Sequence, residues 1–494
     1  MAKNKLLSDT TILTLNNSIS IVVSIIQAKI LASCFSLADV GLQTQVNITS
    51  TLLMSFFVMG LPSTPQFFIP RADSPLEKKN FVSQLYFLYN IIGFLSAVAV
   101  TVLMPFIVSY FKNPALEQCS LILILQPWVK LFASAYNGIM VSQGKAKQTA
   151  YFGFVRAAIS ILTLGCVWLI ELSIVQYLYI NFFVEAVFAV LMFIVSIRSV
   201  HGIKFFYFDK KLLKEILIFA LPLGVSGIVG TLTVETDKLF VSYFYDTEQL
   251  AVYNNVAKEL PLTLLSSSFL SVLLPLIVRY VKHNKIDKAF RLWKLVIEFS
   301  AYIMVFGVMA LIVFSREIIL ILYSEKYLSG QPVFIIFAIV LIARITYFGM
   351  MLKARGEARS ILYCSVATLV LNVILNLIFQ YFFGIVGFAL GTLVSIVAVN
   401  ILQLILTSRH MKIPFSDVFP WKQLGKVLLL NIAFAAVFAV VKHMLHIEER
   451  AGDIIFSVLL GCVWLAIYFL VIKNKIKSIT TEMSALQNEA ELED

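Results

Sequence analysis

Long apolar segments dominate the chain from near residue 9 to residue 472, and short polar loops separate them. Each segment approaches the roughly 20 apolar residues that a helix needs to cross a membrane. The segments show no two-residue alternation, which argues against the strands of a membrane barrel. The pattern predicts an all-α membrane protein with about 14 transmembrane helices, at 9–31, 41–61, 81–108, 117–141, 149–170, 174–197, 214–234, 248–278, 293–314, 331–351, 359–381, 384–407, 424–442 and 453–472.

The second predicted span, 41–61, is the least apolar of the set. Gln43, Gln45 and Asn47 make much of its first half polar. A helix that is partly polar inside a membrane usually turns its polar face toward a water-filled interior. We therefore expect this helix to line an internal cavity.

Composition and charge support the membrane interpretation. Of 494 residues 60% are hydrophobic and only 14% are charged, whereas a soluble domain carries about 25% charged residues. With the N-terminus inside, 28 of the 39 Lys and Arg residues fall in inner segments, six in outer segments and five within spans. This asymmetry follows the positive-inside rule. It predicts that both termini are cytoplasmic, and it explains the net charge of +11 without a nucleic-acid partner.

Two pairs of segments resemble each other across the halves of the chain. AKILASCFSLADVGLQ, from Ala28, matches DKLFVSYFYDTEQLAVY, from Asp237, and QGKAKQTAY matches RGEARSILY. Lys29 aligns with Lys238, and Gly144 aligns with Gly356. Because the copies are six spans apart, they have the same orientation in the membrane, which indicates a parallel repeat about an axis along the membrane normal.

The repeat divides the chain into four predicted parts. Residues 1–200 form an N-terminal lobe with helices 1–6, and residues 201–410 form a C-terminal lobe with helices 7–12. Helices 13–14 occupy 411–475, and 476–494 is an acidic cytoplasmic tail that we expect to be solvated and largely disordered. Two such lobes can rock against each other and expose a central cavity alternately to each side.

Two blocks of sequence identify a family resemblance. ETDKLFVSYFYDTEQLAVYNNVAKELPL (235–262) and KARGEARSILYCSVATLVLNVILNLIFQYFFGIVGFALGTLVSIV (353–397) resemble the bacterial polysaccharide (O-antigen/capsule) flippases. These belong to the multidrug/oligosaccharidyl-lipid/polysaccharide exporter superfamily. The resemblance implies a two-lobe fold, a bacterial inner membrane, and a cargo of undecaprenyl-pyrophosphate-linked oligosaccharide. It also implies a polysaccharide polymerase and glycosyltransferases as partners.

Charged residues within the spans are the candidate site. A charge near the bilayer centre costs about 2.5–3.5 kcal/mol on insertion scales, so it marks a function or a partner. The spans hold more basic than acidic residues, which favours an anionic cargo such as a pyrophosphate. We predict that the basic side chains bind the substrate: Lys130, Lys258, Arg344, Arg156, Lys29 and, by the repeat, Lys238.

Two acids within the spans, Glu185 and Glu259, have two interpretations. Each either couples transport to an ion or neutralises a nearby basic side chain; for Glu185 that partner is Lys130 or Arg156. Polar side chains suited to sugar hydroxyls are Gln43, Tyr151, Asn372 and Asn376, and contacts between helices are the alternative role for them.

Catalytic chemistry finds no support in the sequence. All five His residues lie in loops or at span ends, the five Cys residues are scattered, and no phosphate-binding GxxxxGK[ST] motif occurs. His443 and His446 lack a third ligand for a metal. We therefore predict no enzyme activity, no metal and no cofactor.

Two other transport functions stay open, and an enzyme is less favoured. A lipid II-type flippase carries a cargo with the same anchor and charge. A cation-coupled multidrug exporter of the same superfamily needs cavity carboxylates, but the first span has no Asp or Glu between Thr10 and Ser36. A membrane enzyme that uses lipid-linked sugars usually needs a large outer loop, and every predicted outer loop is short.

Overall fold

A computed structural model describes residues 22–204, 206–258, 263–445 and 450–491. Throughout these residues the regular secondary structure is helical and no strand occurs. Among them, 11 helices are long and apolar enough to cross a membrane, or 12 if one bent pair counts as a single span. The all-α membrane class is confirmed, whereas the predicted count of 14 is not.

Within the described residues the helices follow the predicted spans with shifted ends, and residues 9–21 of the first predicted span lie outside the described residues. The principal ones are α1 (Val22–Cys34), α2 (Leu37–Val58), α3 (Thr64–Phe68), α4 (Pro75–Phe111), α5 (Ser120–Ser142), α6 (Ala146–Ile170), α7 (Ile174–Ser199), α8 (Lys210–Phe244), α9 (Thr247–Val256), α10 (Thr263–Lys282), α11 (Ile286–Val313), α12 (Ser315–Leu322), α13 (Gln331–Ala343), α14 (Met350–Ala354), α15 (Ala358–Phe383), α16 (Ile385–Met411), α17 (Phe415–Val418), α18 (Trp421–Met444) and α19 (Arg450–Glu491).

The chain divides into two compact units. The first contains residues 1–254 and 322–324, and the second contains 255–321 and 325–494. Many large apolar side chains on their long helices are exposed, for example Val102, Phe106 and Leu429, as expected for surfaces that face lipid. The four-part division expected from the repeat stays a prediction.

The second predicted span bends sharply. After α2, Met59 and Gly60 both take the left-handed conformation, with φ of 39° and 74°, and α3 continues at an angle of 64°. A methyl group on Gly60 would lie 2.4 Å from the carbonyl oxygen of Ala220 in α8. Glycine therefore provides both the backbone conformation and the close approach of the two helices.

Two further predicted spans are interrupted. Span 248–278 is helical as α9 and again from the start of α10, and residues 259–262 lie outside the described residues. Span 331–351 ends its first helix at Ala343, and α14 begins only at Met350. Lys258 and Arg344 each lie just past the end of a helix, at α9 and α13 respectively. The apolar pattern concealed both interruptions because it continues across them.

Local structure repeats at one of the two matched pairs of segments. Gly144 and Gly356 both have positive φ, 68° and 82°, and α6 and α15 begin two residues after them. An equivalent backbone hydrogen bond closes each turn. It joins Lys145 N to Met140 O at the first site and Glu357 N to Leu352 O at the second, and each is 2.9 Å long. This agreement supports the internal repeat.

The acidic C-terminal segment is helical, so the prediction of disorder is wrong. The segment continues α19 to Glu491. Within the second unit, its Met483 and Leu486 pack against a core that includes Trp293. Arg291 pairs with Glu482 at 2.6 Å. The apolar residues recur every three or four positions, which is the pattern of an amphipathic helix: Ile472, Ile476, Ile479, Met483 and Leu486.

Candidate functional site

A polar cavity lies inside the first unit, among α1, α2, α5, α6 and α7. Its volume is about 230 Å³. Amides, hydroxyls and one pair of opposite charges make up most of its polar lining: Gln27, Gln43, Asn47, Gln126, Arg156, Ser160, Tyr177, Asn181 and Glu185. Such a lining offers many hydrogen-bond donors and acceptors and little net charge.

Arg156 and Glu185 form an ion pair within this cavity, 2.5 Å between Nη2 and Oε1. Arg156 is ten residues past the start of α6 and Glu185 is eleven past the start of α7, which places each about 15 Å along its helix. Lys130, ten residues into α5, interacts electrostatically with both members of the pair. The ion pair therefore lies near the middle of α6 and α7, and Lys130 lies at a similar distance along α5 without lining the cavity.

Polar contacts between helices hold the cavity walls. Gln27 of α1 donates to Ser160 of α6, and Ser50 of α2 donates to Gln126 of α5. Gln126 directly precedes Pro127, which interrupts the hydrogen-bond ladder of α5 only three residues before Lys130. These amides and hydroxyls interrupt apolar spans, a signal the sequence carries. From the sequence, Gln43 is predicted as a sugar-binding residue, but Gln27, Ser160 and Asn181, which line the same cavity, are not.

Lys258 and Arg344 line one small cavity in the second unit, with a volume of about 20 Å³. That is room for about one water molecule. Apolar side chains such as Phe334 and Phe337 form most of its wall. Because each cation follows the C-terminal end of a helix, it lies where the helix dipole is negative. The structure thus brings together two of the predicted substrate ligands. Glu259, the neighbouring acid, lies outside the described residues.

The two cations related by the repeat have different neighbours. Lys29 donates to the carbonyl oxygen of Tyr323 at 2.5 Å. Lys238 pairs with Glu235 of the same helix at 2.8 Å. Glu235 and Asp237 are buried, with 8% and 5% of their surfaces exposed.

The other polar side chains that we considered for sugar binding are not gathered at the cavity. Asn372 donates to Thr392 of α16 at 2.9 Å, and Asn376 donates to Asn372 at 3.2 Å. Both asparagines are almost fully buried, so they hold α15 against α16. Tyr151 is 67% exposed on α6. Of this set, Gln43 lines the cavity.

Solved structures show the fold. The lipid II flippase MurJ in its inward closed conformation superposes with a TM-score of 0.70 and 16% identity, covering 94% of this chain and 99% of the other. An inward-facing multidrug resistance MATE transporter of the MOP superfamily gives 0.63 and 18%, covering 78% and 92%. Its outward-facing counterpart gives 0.54 and 17%, covering 82% and 93%. A comparison with curated protein sequences found no match.

A family model described as "Polysaccharide biosynthesis protein" matches residues 30–332, more than half of the chain. That range contains Arg156 and Glu185 of the first-unit cavity and the whole of α8. It also contains the block 235–262 that resembles the polysaccharide flippases. The chain therefore belongs to the polysaccharide biosynthesis protein family, and its fold is that of the flippases and exporters of the MOP superfamily.

Proposed function

We propose that this protein is an alternating-access flippase for undecaprenyl-pyrophosphate-linked oligosaccharide, moving each repeat unit from the cytoplasmic to the outer leaflet for surface polysaccharide synthesis. The observation that carries the proposal is the amide-rich cavity of the first unit with the mid-depth ion pair of Arg156 and Glu185 in its lining. The family assignment supports a saccharide cargo, and the MurJ and MATE folds support transport.

The cavity suits both polar parts of such a cargo. Sugar hydroxyls donate and accept hydrogen bonds, as do the side-chain amides of Gln27, Gln43 and Asn181. A pyrophosphate competes with Glu185 for the guanidinium of Arg156, because phosphate oxygens accept the same forked contact. Lys130 supplies a second positive charge nearby. No bond of the cargo needs to be made or broken.

Before the cargo arrives, the ion pair keeps the site nearly neutral. An uncompensated charge at this depth is costly, and pairing reduces that cost. The anion then replaces Glu185 as the partner of Arg156, which leaves the carboxylate to water or to a proton. We propose that Lys258 and Arg344 form a second cationic site in the other unit, with Lys29 and Lys238 at the predicted outer ends of α1 and α8.

The setting of the protein follows from the same proposal. It is a multi-pass membrane protein, and we propose the bacterial inner membrane with both termini cytoplasmic. The undecaprenyl chain is too long and too apolar for a polar cavity, so it stays in the bilayer beside α18 and α19. A polysaccharide polymerase and glycosyltransferases are the partners that such a cargo implies.

A lipid II-type cargo is the second candidate, because the MurJ superposition covers 94% of this chain. Both cargoes share a polyprenyl pyrophosphate and differ in the attached sugars and peptide. Expression in two strains separates them, one lacking its polysaccharide flippase and one depleted of its lipid II flippase. We expect surface polysaccharide to return in the first strain and the second strain to remain inviable. Rescue of the second strain alone would assign the other cargo.

A further inference from the structure

A second pocket lies at the end of the first unit that the charge pattern predicts to be cytoplasmic. Its volume is about 490 Å³, and it lies among α3, the start of α4, the connector after α7 and the start of α8. It shares no lining residue with the polar cavity of the first unit that contains Arg156 and Glu185. Pockets that bind small molecules usually measure about 300–1,000 Å³, so this one is large enough for one or two sugar rings.

Aromatic rings form the floor of this pocket. Phe68 packs against both Phe67 and Phe81, with ring centroids 5.1 Å apart in each case. Both faces of Phe67 are covered, by the guanidinium of Arg71 at 3.6 Å and by the stacked ring of Phe219 at 4.2 Å. Tyr207 lines the connector side. Apolar ring edges with polar groups around them suit a ligand that is apolar on one side and carries hydroxyls at its edge.

The polar groups around this floor are rich in acceptors. The Oδ1 atom of Asn80 is buried, and no group among the described residues donates a hydrogen bond to it. Such an atom is costly unless a donor reaches it. The charged side chains are three acids and two bases, Glu77, Asp209, Glu215, Arg71 and Lys211. This balance does not favour a phosphate. It favours a neutral ligand that brings several O–H donors and also accepts from Arg71 and Lys211.

Two hydrogen bonds attach Lys204 and Asp209, in the connector between α7 and α8, to α4. The backbone N–H of Lys204 donates to Ser83 at 3.0 Å, and that of Asp209 donates to Gln84 at 2.7 Å. Gln84 is almost fully buried in α4. Tyr207 lies between these two attachments, so it faces the pocket from an anchored segment. A site that is built before its ligand arrives loses less conformational freedom on binding.

We propose that this pocket binds a saccharide, and that it receives the sugar end of the cargo before the cargo reaches the central cavity. The cargo named here rests on the proposed function. Binding of a free sugar does not depend on transport, so the two proposals can fail separately.

Saturation-transfer NMR on the purified full-length chain tests this site with a panel of methyl glycosides as probes. We expect at least one glycoside to receive saturation from the wild-type protein. Asn80→Leu and Glu215→Gln each weaken that binding by about fivefold or more, the factor expected for one lost hydrogen bond. Matched controls are Asn90→Leu, exposed further along α4, and Glu171→Gln, exposed after α6; both bind as the wild type does. Arg156→Gln, a change in the first-unit cavity, is measured alongside to distinguish binding at the two sites.

Three results would overturn the proposal. The first is no saturation of any glycoside by the wild-type protein. The second is unchanged binding by the Asn80→Leu and Glu215→Gln variants. The third is loss of binding in Arg156→Gln alone, which would place the sugar in the central cavity and leave the proposed transport intact. Glycerophosphoethanolamine is included as a probe. If it binds in an Asn80-dependent way while no glycoside does, the pocket is a lipid-headgroup site and the saccharide proposal is wrong.

Discussion

At the scale of single residues, the ion pair between Arg156 and Glu185 is the main electrostatic feature of the cavity. In the proposed function, Arg156 binds the anion and Glu185 compensates its charge when the cargo is absent. The sequence indicated that Glu185 neutralises either Lys130 or Arg156, and the structure shows direct contact with Arg156. An arginine half exposed to the cavity keeps donors available on its other nitrogens.

We expect Arg156→Gln and Glu185→Gln to differ in effect. Losing the guanidinium removes charged hydrogen bonds to the cargo, so transport falls by about tenfold or more. Losing the carboxylate leaves a positive charge without its partner, so the amount of folded protein falls while each folded molecule keeps its anion site. Surface polysaccharide per molecule of folded protein measures the first effect, and the yield of monodisperse protein in detergent measures the second. Equal transport loss per folded molecule in both variants would contradict this division.

Lys130 and Lys258 provide a test of charge within the predicted spans of each unit. We expect Lys130→Ala and Lys258→Ala to abolish flipping, because each removes one positive charge from the pathway of the anion, while Lys130→Arg retains partial transport. Membrane insertion and accumulation stay normal, as measured by immunoblotting of membrane fractions. Wild-type surface polysaccharide from both alanine variants would remove the cationic-site proposal.

At the scale of elements, the sequence predicts where helices are more reliably than where they stop. Hydropathy located the spans because lipid imposes a long apolar run on each. It could not reveal the bend after Val58 or the gaps near Lys258 and Arg344, because these depend on φ values and tertiary contacts that an apolar run does not encode. The disorder predicted for the C-terminal segment failed because the acidic residues obscured a weak amphipathic repeat. The charges of the site were predictable from their depth, but their grouping depended on how the helices pack.

The crossing of α2 and α8 leads to a prediction with an internal control. A methyl group on Gly224 would lie 2.5 Å from the backbone of Met59, whereas one on Gly227 of the same helix meets nothing within 4 Å. Gly224→Ala should therefore lower the stability of the protein by about 1–3 kcal/mol through overpacking. Gly227→Ala should be neutral or slightly stabilising. Thermal unfolding in detergent distinguishes them, and equal melting temperatures for the two variants would show that the close crossing is not formed.

The C-terminal end of α19 leads to a second stability prediction. Met483 and Leu486 are partly buried against the core of the second unit, and full burial of such a side chain is worth about 1.5–3 kcal/mol. The ion pair between Arg291 and Glu482 is largely exposed, and such pairs contribute about 0–1 kcal/mol. Leu486→Ala should therefore lower the melting temperature more than Arg291→Ala does, and the exposed Ser484→Ala should leave it unchanged. The reverse order would show that charge, and not packing, holds this helix.

At the scale of the whole molecule, each of the two compact units holds a cavity lined by basic side chains, Arg156 with its partner Glu185 in the first and Lys258 with Arg344 in the second. The sequence repeat relates parts of one half of the chain to the other. Lys130 lies in the fourth predicted span and Arg344 in the tenth. With the offset of 212 that relates Gly144 to Gly356, Arg344 is two residues beyond the position that repeats Lys130. The corresponding segments of the two halves thus each carry a cation at nearly the same sequence position, although Lys130 lies within α5 and Arg344 directly follows α13.

The most direct test of the central claim is transport by the purified protein in proteoliposomes that contain undecaprenyl-pyrophosphate-linked oligosaccharide. The oligosaccharide is initially shielded inside, and a membrane-impermeant glycosidase outside reports its arrival in the outer leaflet. We predict that wild-type protein makes the oligosaccharide accessible, whereas Arg156→Gln and Lys130→Ala, reconstituted to the same density, leave it shielded. No exposure by the wild type, or equal exposure by the wild type and both variants, would contradict the assignment of this cavity as the path of the cargo.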